Sequence, residues 1–381
     1  MRIIARLFFI MALVAVSMPA ALGQNVNEIS NSLRGRLAPD KRVAVWEVEA
    51  SEKNGKWILQ GKVDNAGYKQ ALLGELEKRG IAYEDKITVL DDGGWAIVKV
   101  AVATMRTQGR HAAEIATQAV MGTPVKVLEK AGEWYRVQTP DNYIAYIPSS
   151  LIAIKSTAQM AAWRKSRRVI VVSQQAMLAL SPSADALPVS DLVLGNILEY
   201  KGIQGDWIKA SVPDGRTGYV HMDDVADFDE WSKQDFDADV VISTARRMLG
   251  SGYLWGGTST KMTDCSGLTK VCYFANAIIL QRDASQQATT GRRIAAKDWK
   301  EQARKGDLLF WGTKSGRVTH VGLYIGEGQY IHCSGMVKYN NLDPNNALFL
   351  KTPFLSISRI DGNVGTPGIT AVRYHKWYFN Q

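Results

Sequence analysis

Residues 253–257 have the sequence YLWGG, and residues 264–267, which begin seven positions later, have the sequence DCSG. Apolar residues recur at helical spacing from Cys265 to Ile279, which predicts a helix that begins at the cysteine. Asp264 is placed to cap this helix, because an aspartate side chain accepts hydrogen bonds from free N–H groups of the first turn. The positive end of the helix dipole favours a thiolate, so we expect a lowered pKa and a nucleophilic sulfur at Cys265.

Two downstream histidines are candidates for the base that a cysteine nucleophile needs. Residues 319–326 alternate like a strand with His320 near its start, and the next apolar run contains His332. A hairpin that closes through residues 325–327 places the two histidines directly opposite each other on one face. A slip of one residue would bring Cys333 opposite His320 instead. We expect the two imidazoles to hydrogen-bond, one as the base and the other as its orienting partner.

Six sequence blocks in this order resemble the NlpC-type cell-wall cysteine peptidases, a papain-like family that uses Cys, His and a third polar residue. The blocks are YLWGG at 253–257, DCSGL at 264–268, RDASQ at 282–286, GDLLF at 306–310, HVGLYIG at 320–326 and IH at 331–332. The resemblance implies that Cys265 attacks an amide carbonyl, that His320 moves the proton, and that His332 orients His320. It also implies an oxyanion site formed by Tyr253 and the backbone N–H of Cys265.

The resemblance also implies a substrate. Members with two SH3-like domains resemble γ-D-glutamyl-L-diamino acid endopeptidases, which act on L-Ala-γ-D-Glu-diamino acid stem peptides, in some cases only with a free L-Ala amine. Asp264 and Glu114 are the candidate carboxylates for that ammonium, and Ser266 and Ser285 could hydrogen-bond the γ-D-Glu carboxylate. The full set of candidate substrate-binding residues is Glu114, Tyr143, Trp255, Asp264, Ser266 and Ser285.

Other interpretations of these residues exist. Tyr253 and Trp255 could be core aromatic residues, and Glu114 and Tyr143 could be ordinary surface residues. A zinc site built from Cys265 and the two histidines would have ligand gaps of 55 and 12 residues, which match no common zinc spacing. We therefore expect neither a metal nor another cofactor. The remaining two of the three cysteines show no disulfide pattern and are predicted to be structural.

Residues 1–23 are typical of a signal peptide, since two arginines precede an apolar run and small residues stand at positions 21 and 23. We expect an exported protein, periplasmic or secreted, without a membrane anchor after cleavage, because Gln24 stands where a lipoprotein would have cysteine. Loss of this segment lowers the formal net charge of +9 by two, so the chain stays basic. Its charges are scattered without a recognition motif, so the expected partners are wall stem peptides and no nucleic acid. We expect a monomer.

At 381 residues the chain is too long for one core, and we predict a multidomain protein. An α+β papain-like NlpC catalytic domain is expected at 237–381, preceded by two small β-barrel SH3-like domains and a small α/β N-terminal module. The barrels are placed at 95–154 and 168–228, because each has a strand that starts with Trp and a later strand with Tyr. The module, with ββαβ order and unknown role, is placed at 33–92.

Two other functions stay open at this level. An N-acetylmuramyl-L-alanine amidase or an acyltransferase would use the same fold and the same thiol. A wall-binding protein without activity would keep the barrels but would not need the three catalytic candidates.

Overall fold

The computed structural model describes residues 25–90 and 94–380, so the predicted signal peptide lies outside the described residues. The chain divides into two compact units. The smaller unit contains residues up to 39 and residues 46–88, and the larger contains residues 40–45 and the chain from residue 89 onward. Within the described ranges, no helix combines the length and the apolar character needed to cross a membrane.

Short helices alternate with many short strands. The helices are α1 (Val26–Leu37), α2 (Ala66–Lys78), α3 (Thr157–Lys165), α4 (Phe228–Ser232), α5 (Ala238–Arg247), α6 (Cys265–Ala275), α7 (Ala284–Gln287) and α8 (Trp299–Gln302). The strands before residue 160 are β1 (Trp46–Lys53), β2 (Lys56–Val63), β3 (Tyr83–Val89), β4 (Trp95–Val98), β5 (Val102–Arg106), β6 (Ile115–Val120), β7 (Pro124–Ala131), β8 (Trp134–Gln138), β9 (Ile144–Pro148) and β10 (Ile152–Lys155). The later strands are β11 (Arg168–Val171), β12 (Gln175–Ala179), β13 (Pro188–Val193), β14 (Ile197–Gln204), β15 (Trp207–Ser211), β16 (Thr217–His221), β17 (Val225–Asp227), β18 (Ile278–Leu280), β19 (Arg292–Ala295), β20 (Leu308–Gly312), β21 (Val318–Gly326), β22 (Gln329–Ser334), β23 (Met336–Asn341), β24 (Phe354–Arg359) and β25 (Ile369–Ala371).

The smaller unit contains α1, α2 and the three-stranded sheet β1-β2-β3. Its strands and α2 follow the predicted ββαβ order, but the prediction missed α1 and placed the start of the module at residue 33, inside that helix. Asn25 caps α1, and Val26, Ile29 and Leu33 form its buried stripe at helical spacing. The helical spacing of these three apolar residues would have allowed α1 to be predicted from the sequence.

Two seven-stranded sheets in the larger unit share one topology. The first has the order β10-β4-β7-β8-β9-β5-β6, and the second, in the same direction, has the order β17-β11-β14-β15-β16-β12-β13. The repeat predicted from the Trp and Tyr strands is therefore a repeat of strand order, and each sheet has its own apolar core. Between β13 and β14 the chain makes a turn, because Gly195 adopts a φ of 89°.

The remainder of the larger unit has an α+β arrangement. Helices α5 and α6 share one apolar core with the six-stranded sheet β19-β24-β20-β21-β22-β23. Helix α6 ends at Ala275, four residues before the predicted end, because Ala277 has a φ of 55° and residues 278–280 form β18. The start of α6 and the strands β21 and β22 position the candidate catalytic residues.

Candidate active site

The candidate nucleophile Cys265 is the first residue of α6 and is 8% exposed. Asp264 caps the helix as predicted, since its Oδ1 accepts a hydrogen bond of 2.7 Å from the backbone N–H of Gly267. A side chain at position 267 would not fit, because a Cβ there would lie 1.9 Å from the carbonyl oxygen of Gly257. The glycines of the two sequence blocks thus allow the loop before α6 to pack directly on its first turn.

The predicted lowering of the Cys265 pKa is wrong. Burial raises the pKa of this thiol to about 11, and the neighbouring Asp264 carboxylate raises it further. Backbone N–H groups of Val321 and Ser266 oppose the shift but do not reverse it. The helix dipole supplies only about half an elementary charge, which is less than the cost of removing a thiolate from water. The resting nucleophile is therefore a neutral thiol.

The two histidines form the predicted hydrogen bond, with 2.7 Å between His320 Nε2 and His332 Nδ1. Their register differs from the prediction, because the Cα partner of His332 is Gly322. The hairpin turns through Glu327 and Gly328, which have φ values of 53° and 75°, and an irregularity precedes this turn. The resulting shift is two residues, and it keeps both imidazoles on one face because side chains alternate with a period of two.

Both imidazoles are neutral near pH 7. Burial lowers the pKa of His320 to about 3, with a further contribution from His332, and burial lowers the pKa of His332 to about 4. The backbone N–H of Val321, the residue after His320, opposes the rise in the pKa of the Cys265 thiol, so the sulfur lies beside β21. The fold therefore brings a neutral thiol to the strand that carries a neutral imidazole.

A residue that sequence analysis missed extends the histidine pair. Asn340 Oδ1 lies 2.9 Å from His332 Nε2, and Asn340 Nδ2 donates a hydrogen bond of 2.5 Å to the carbonyl oxygen of Leu348. Asn340 lies on β23, two positions from Lys338, the cross-strand partner of His332. The even spacing of Asn340 from His332 on the next strand was the only sequence signal.

Asp264 does not present a free carboxylate to the cleft. Arg282 binds it through both ends of the guanidinium, with Nη2 2.6 Å from Oδ2 and Nη1 3.2 Å from Oδ1. Arg282 also donates to Ser266 Oγ at 2.9 Å, while Ser266 donates to Asp264 Oδ1 at 3.2 Å. All three side chains are buried. The expectation that Asp264 binds a substrate ammonium is therefore corrected, because a buried carboxylate is stable only with its cation, and the Ser266 hydroxyl proton is also engaged.

Other predicted substrate-binding residues meet around Asp283. The Tyr143 hydroxyl donates to Asp283 Oδ2 at 3.2 Å, and Arg42 Nη1 lies 2.8 Å from the same oxygen. Arg42 Nη1 also donates to Ser285 Oγ at 3.0 Å, which leaves the Ser285 proton free to donate. Glu114 is exposed in the loop immediately before β6, and its carboxylate has no partner among the described residues. The structure thus groups Tyr143 with Ser285, and Glu114 stands apart from them.

Of the aromatic residues of the YLWGG block, Tyr253 packs against the edge of the apolar core, and Trp255 is not a core residue. Trp255 is 61% exposed, and Tyr253 is half-buried. Burial and the nearby Cys265 raise the pKa of Tyr253, so its phenol stays protonated. In the part of the chain that the structure describes, the Tyr253 hydroxyl has no hydrogen-bond partner. It is therefore available to donate to a ligand, as an oxyanion donor must.

The first seven-stranded sheet contributes directly to the loop before the nucleophile. Gln118 Oε1 accepts hydrogen bonds from Thr258 N at 2.9 Å and from Ser259 Oγ at 3.0 Å. Arg282 Nε donates to Thr117 Oγ1 at 2.9 Å. The guanidinium that neutralises the helix cap thus also ties α6 to β6, a contact that sequence analysis did not find.

The other cysteines have structural positions. All three cysteines are free thiols. Cys272 is fully buried in the core, and the buried Cys333 Sγ lies 3.2 Å from the carbonyl oxygen of Thr263. Over residues 25–90 and 94–380, no group of three or more His, Cys, Asp or Glu side chains is placed to hold a metal ion.

Comparison with protein families identifies two regions of the chain. Residues 250–354 match the model of the NlpC/P60 family, and residues 105–152 match the model of the bacterial dipeptidyl-peptidase Sh3 domain. The first match includes the cysteine and both histidines of the site. The second covers most of the sheet whose strand β6 contacts Arg282.

Similar proteins extend these matches. A gamma-D-glutamyl-L-lysine dipeptidyl-peptidase from Bacillus cereus is 31% identical over 237 residues, which are 58% of this chain and 68% of that protein. A protein of the same name from Bacillus subtilis is 30% identical over 223 residues, 57% of this chain and 72% of that protein. The crystal structure of an NlpC/P60 family protein from Bacillus cereus has a TM-score of 0.62 at 23% identity, covering 70% of this chain and 100% of that chain. The similarity to that structure supports the description of the fold given above.

Proposed function

The chain belongs to the NlpC/P60 family and is a cysteine peptidase, and from that premise we propose that it hydrolyses the amide between γ-D-Glu and the diamino acid of peptidoglycan stem peptides. The observation that carries the proposal is the buried hydrogen bond between His320 and His332, beside the helix that begins at Cys265. The names of the Bacillus relatives support the choice of the bond.

In the proposed acylation step, His320 accepts the thiol proton while the Cys265 sulfur attacks the γ-carbonyl carbon. Proton transfer accompanies attack, because thiol and imidazole are both neutral at rest. The Tyr253 hydroxyl and the backbone N–H of Cys265, which lacks a partner within its helix, stabilise the oxyanion. The imidazolium of His320 then protonates the diamino acid amine, and the carbon–nitrogen bond breaks.

The acyl-enzyme is a thioester of Cys265 with the γ-carboxyl group of D-Glu. His320, now neutral, takes a proton from water, and the hydroxide attacks the thioester carbonyl. The proton returns to the sulfur as the thioester breaks. The product L-Ala-γ-D-Glu leaves, and the neutral thiol and imidazole are restored.

We propose that the enzyme favours small stem fragments with a free L-Ala amine, and that it is exported. The support is the contact of β6 in the first seven-stranded sheet with the loop before Cys265 and with Arg282, which puts this sheet beside the proposed substrate site. With Asp264 engaged by Arg282, the exposed Glu114 carboxylate is the remaining candidate of the two for the ammonium. Ser285 keeps a free hydroxyl proton for the γ-D-Glu carboxylate. The exposed Trp255 and the buried Tyr143, whose hydroxyl reaches Asp283, complete the proposed substrate contacts.

Mass spectrometry of the products from L-Ala-γ-D-Glu-diaminopimelate tests the proposal. Wild type should release L-Ala-γ-D-Glu, and Cys265→Ala should release none, because the thiol is the nucleophile. A product cut between muramic acid and L-Ala from a wall fragment would instead indicate the amidase function. Binding of wall material without any Cys265-dependent product would leave only a binding function.

Glu114→Gln tests amine recognition with the same peptide, free and N-acetylated. We expect kcat/KM for the free peptide to fall on the order of 10-fold, since an ionic contact is lost. The rate for the acetylated peptide should not change. Equal loss on both peptides would show that Glu114 supports the fold rather than the ammonium.

A further inference from the structure

We propose that Asn340 is a positioning residue that fixes the tautomers of His332 and His320, so that Nδ1 of His320 is the nitrogen left to accept the thiol proton. The inference deepens the proposed function and rests on it for the roles of Cys265 and His320. It concerns a side chain that does not reach the reacting atoms and acts through two imidazoles.

The orientation of the Asn340 amide follows from its second contact. The backbone carbonyl oxygen of Leu348, 2.5 Å from Asn340 Nδ2, can only accept a hydrogen bond. The amino group of Asn340 must therefore face Leu348, and its oxygen must face His332. Because that oxygen is also only an acceptor, the Nε2 atom of His332, 2.9 Å away, must carry a proton.

The tautomer of His332 then sets that of His320. Burial lowers the pKa of His332 to about 4, so at neutral pH the ring carries one proton, on Nε2, and its Nδ1 is an acceptor. The Nε2 atom of His320, 2.7 Å from this Nδ1, must donate. His320 is neutral as well, so its Nδ1 has a free lone pair. Two successive N–H donors therefore point away from the thiol and toward Asn340.

The backbone around Asn340 fixes the position of its contact with His332. Asn340 is paired with Tyr330 on β22, next to the row that contains His332, and β23 is the outer strand of the sheet. Beyond β23, the segment with Leu348 is tied to the strand by a hydrogen bond from Asn341 N to the Leu348 carbonyl oxygen at 3.2 Å. The same carbonyl thus receives the strand backbone and the Asn340 amide, which fixes the amide plane.

An asparagine at this position orients the imidazoles without adding charge. The groups that act electrostatically on His320 are His332, Asp264 and Lys338, and Lys338 also acts on His332. The edge of the His332 ring also meets the Tyr330 ring, at a centroid distance of 5.2 Å. Of these groups only Asp264 favours an imidazolium, and its carboxylate is bound by Arg282. The hydrogen-bonded series Asn340–His332–His320 thus suits a base that is neutral until it receives the thiol proton.

The test compares Asn340→Leu, Asn340→Asp and the control Asn345→Asp, an exposed residue in the loop after β23. The substrate is L-Ala-γ-D-Glu-diaminopimelate, and kcat and KM are measured from about pH 2.5 to 9, a range that includes the acid limb set by the His320 pKa of about 3. For Asn340→Leu we expect kcat to fall on the order of 10- to 100-fold with little change in KM, because the wrong tautomer becomes populated. For Asn345→Asp we expect no change.

Asn340→Asp should move the acid limb of kcat/KM upward by about one pH unit or more, because a carboxylate beside His332 stabilises the imidazolium. The sign follows from the base, which is lost by protonation as the pH falls, so a raised pKa brings that loss to higher pH. An unshifted limb in Asn340→Asp, or an undiminished kcat in Asn340→Leu, would overturn the proposal.

A spectroscopic readout separates this inference from the proposed function. Nitrogen-15 shifts of the histidine rings should show His332 protonated at Nε2 in wild type, and a mixture of tautomers in Asn340→Leu. This measurement needs no turnover, so it remains valid if the peptide is not cleaved, a result that would refute the proposed function alone. A wild-type His332 protonated at Nδ1 would overturn the role of Asn340 even in an active enzyme.

Discussion

The two seven-stranded sheets have the same strand order but contribute differently to the active site. Strands β6 and β13 occupy the same place in the two sheets, and both have six residues. Their third and fourth residues are Thr117 and Gln118 in the first sheet, and Ser190 and Asp191 in the second. Gln118 is paired with the third residue of β5 and Asp191 with the third residue of β12, so the positions are equivalent.

The side chains at these equivalent positions form contacts that are buried in the first sheet and exposed in the second. Thr117 and Gln118 hydrogen-bond to Arg282 and to the loop before the nucleophile, at buried or partly buried atoms. Asp191 instead forms an ion pair of 3.1 Å with Lys261, in which the side chains are 47% and 41% exposed. Topology alone therefore does not assign a role to a repeated domain. The role depends on which side chains of the equivalent strand are buried against Arg282 and the loop before Cys265.

The largest effect is expected from Arg282, which joins the first sheet to the helix cap. Arg282→Met leaves the buried Asp264 carboxylate without its cation, which should cost about 3–5 kcal/mol of unfolding free energy. Arg282→Lys keeps a charge but loses the two-pronged contact and the bond to Thr117, and it should lower kcat/KM with a smaller loss of stability. Chemical denaturation and peptide hydrolysis measure the two effects.

The ion pair of Arg359 with Asp307 provides a matched control. It is also buried and also bidentate, with contacts of 3.0 and 2.8 Å, but Asp307 lies at the turn before β20 and not next to Cys265 in the chain. Arg359→Lys should reduce stability as Arg282→Lys does and leave kcat/KM of the folded protein unchanged. Equal catalytic losses in both variants would mean that Arg282 acts only through stability.

A smaller effect is expected at Gln118. Gln118→Leu removes the acceptor for Thr258 N and Ser259 Oγ, which lie in a largely buried loop, so unfolding should become easier by about 1–3 kcal/mol. Because this loop precedes Cys265, kcat/KM should also fall. Thermal unfolding and hydrolysis rates measured on one preparation would show both changes. Retained stability with retained activity would remove the distinction between the two sheets.

The smallest effect is expected at the equivalent position of the second sheet. Asp191→Asn removes an exposed ion pair with Lys261, which should change the unfolding free energy by no more than about 0.5 kcal/mol. The difference from wild type should shrink further in high salt, because exposed charges are screened. Melting curves at low and high salt provide the measurement, and kcat/KM should match wild type. A loss as large as that of Gln118→Leu would contradict the comparison.

Local patterns predicted the helix start and the face of the histidines, but not their exact pairing. The cap at Asp264 depends on adjacent residues, so the sequence contains all the information for it. The pairing of His320 with His332 survived an error of two residues in register, because a strand repeats its faces every two residues. The prediction closed the hairpin through residues 325–327, whereas the correct register requires a turn through Glu327 and Gly328.

Contacts between distant segments could not be predicted in the same way. Arg282 and Thr117 are 165 positions apart, and no local periodicity links them. The pKa of Cys265 was predicted in the wrong direction, because the sequence shows the helix start but not that the residue is only 8% exposed. Burial is a property of the tertiary structure, and here it exceeds the effect of the helix dipole.

The contact of Arg42 with Asp283 has a consequence for experiments that dissect the protein. Arg42 lies 241 positions before Asp283 in the sequence, in the short segment 40–45 that belongs to the larger unit. A chain shortened to begin at the first seven-stranded sheet would lose this guanidinium, and Asp283 would keep the Tyr143 hydroxyl but only the more distant cation Arg282, 3.8 Å away. Selectivity for amine-bearing peptides measured on such a fragment would therefore differ from that of the full-length enzyme.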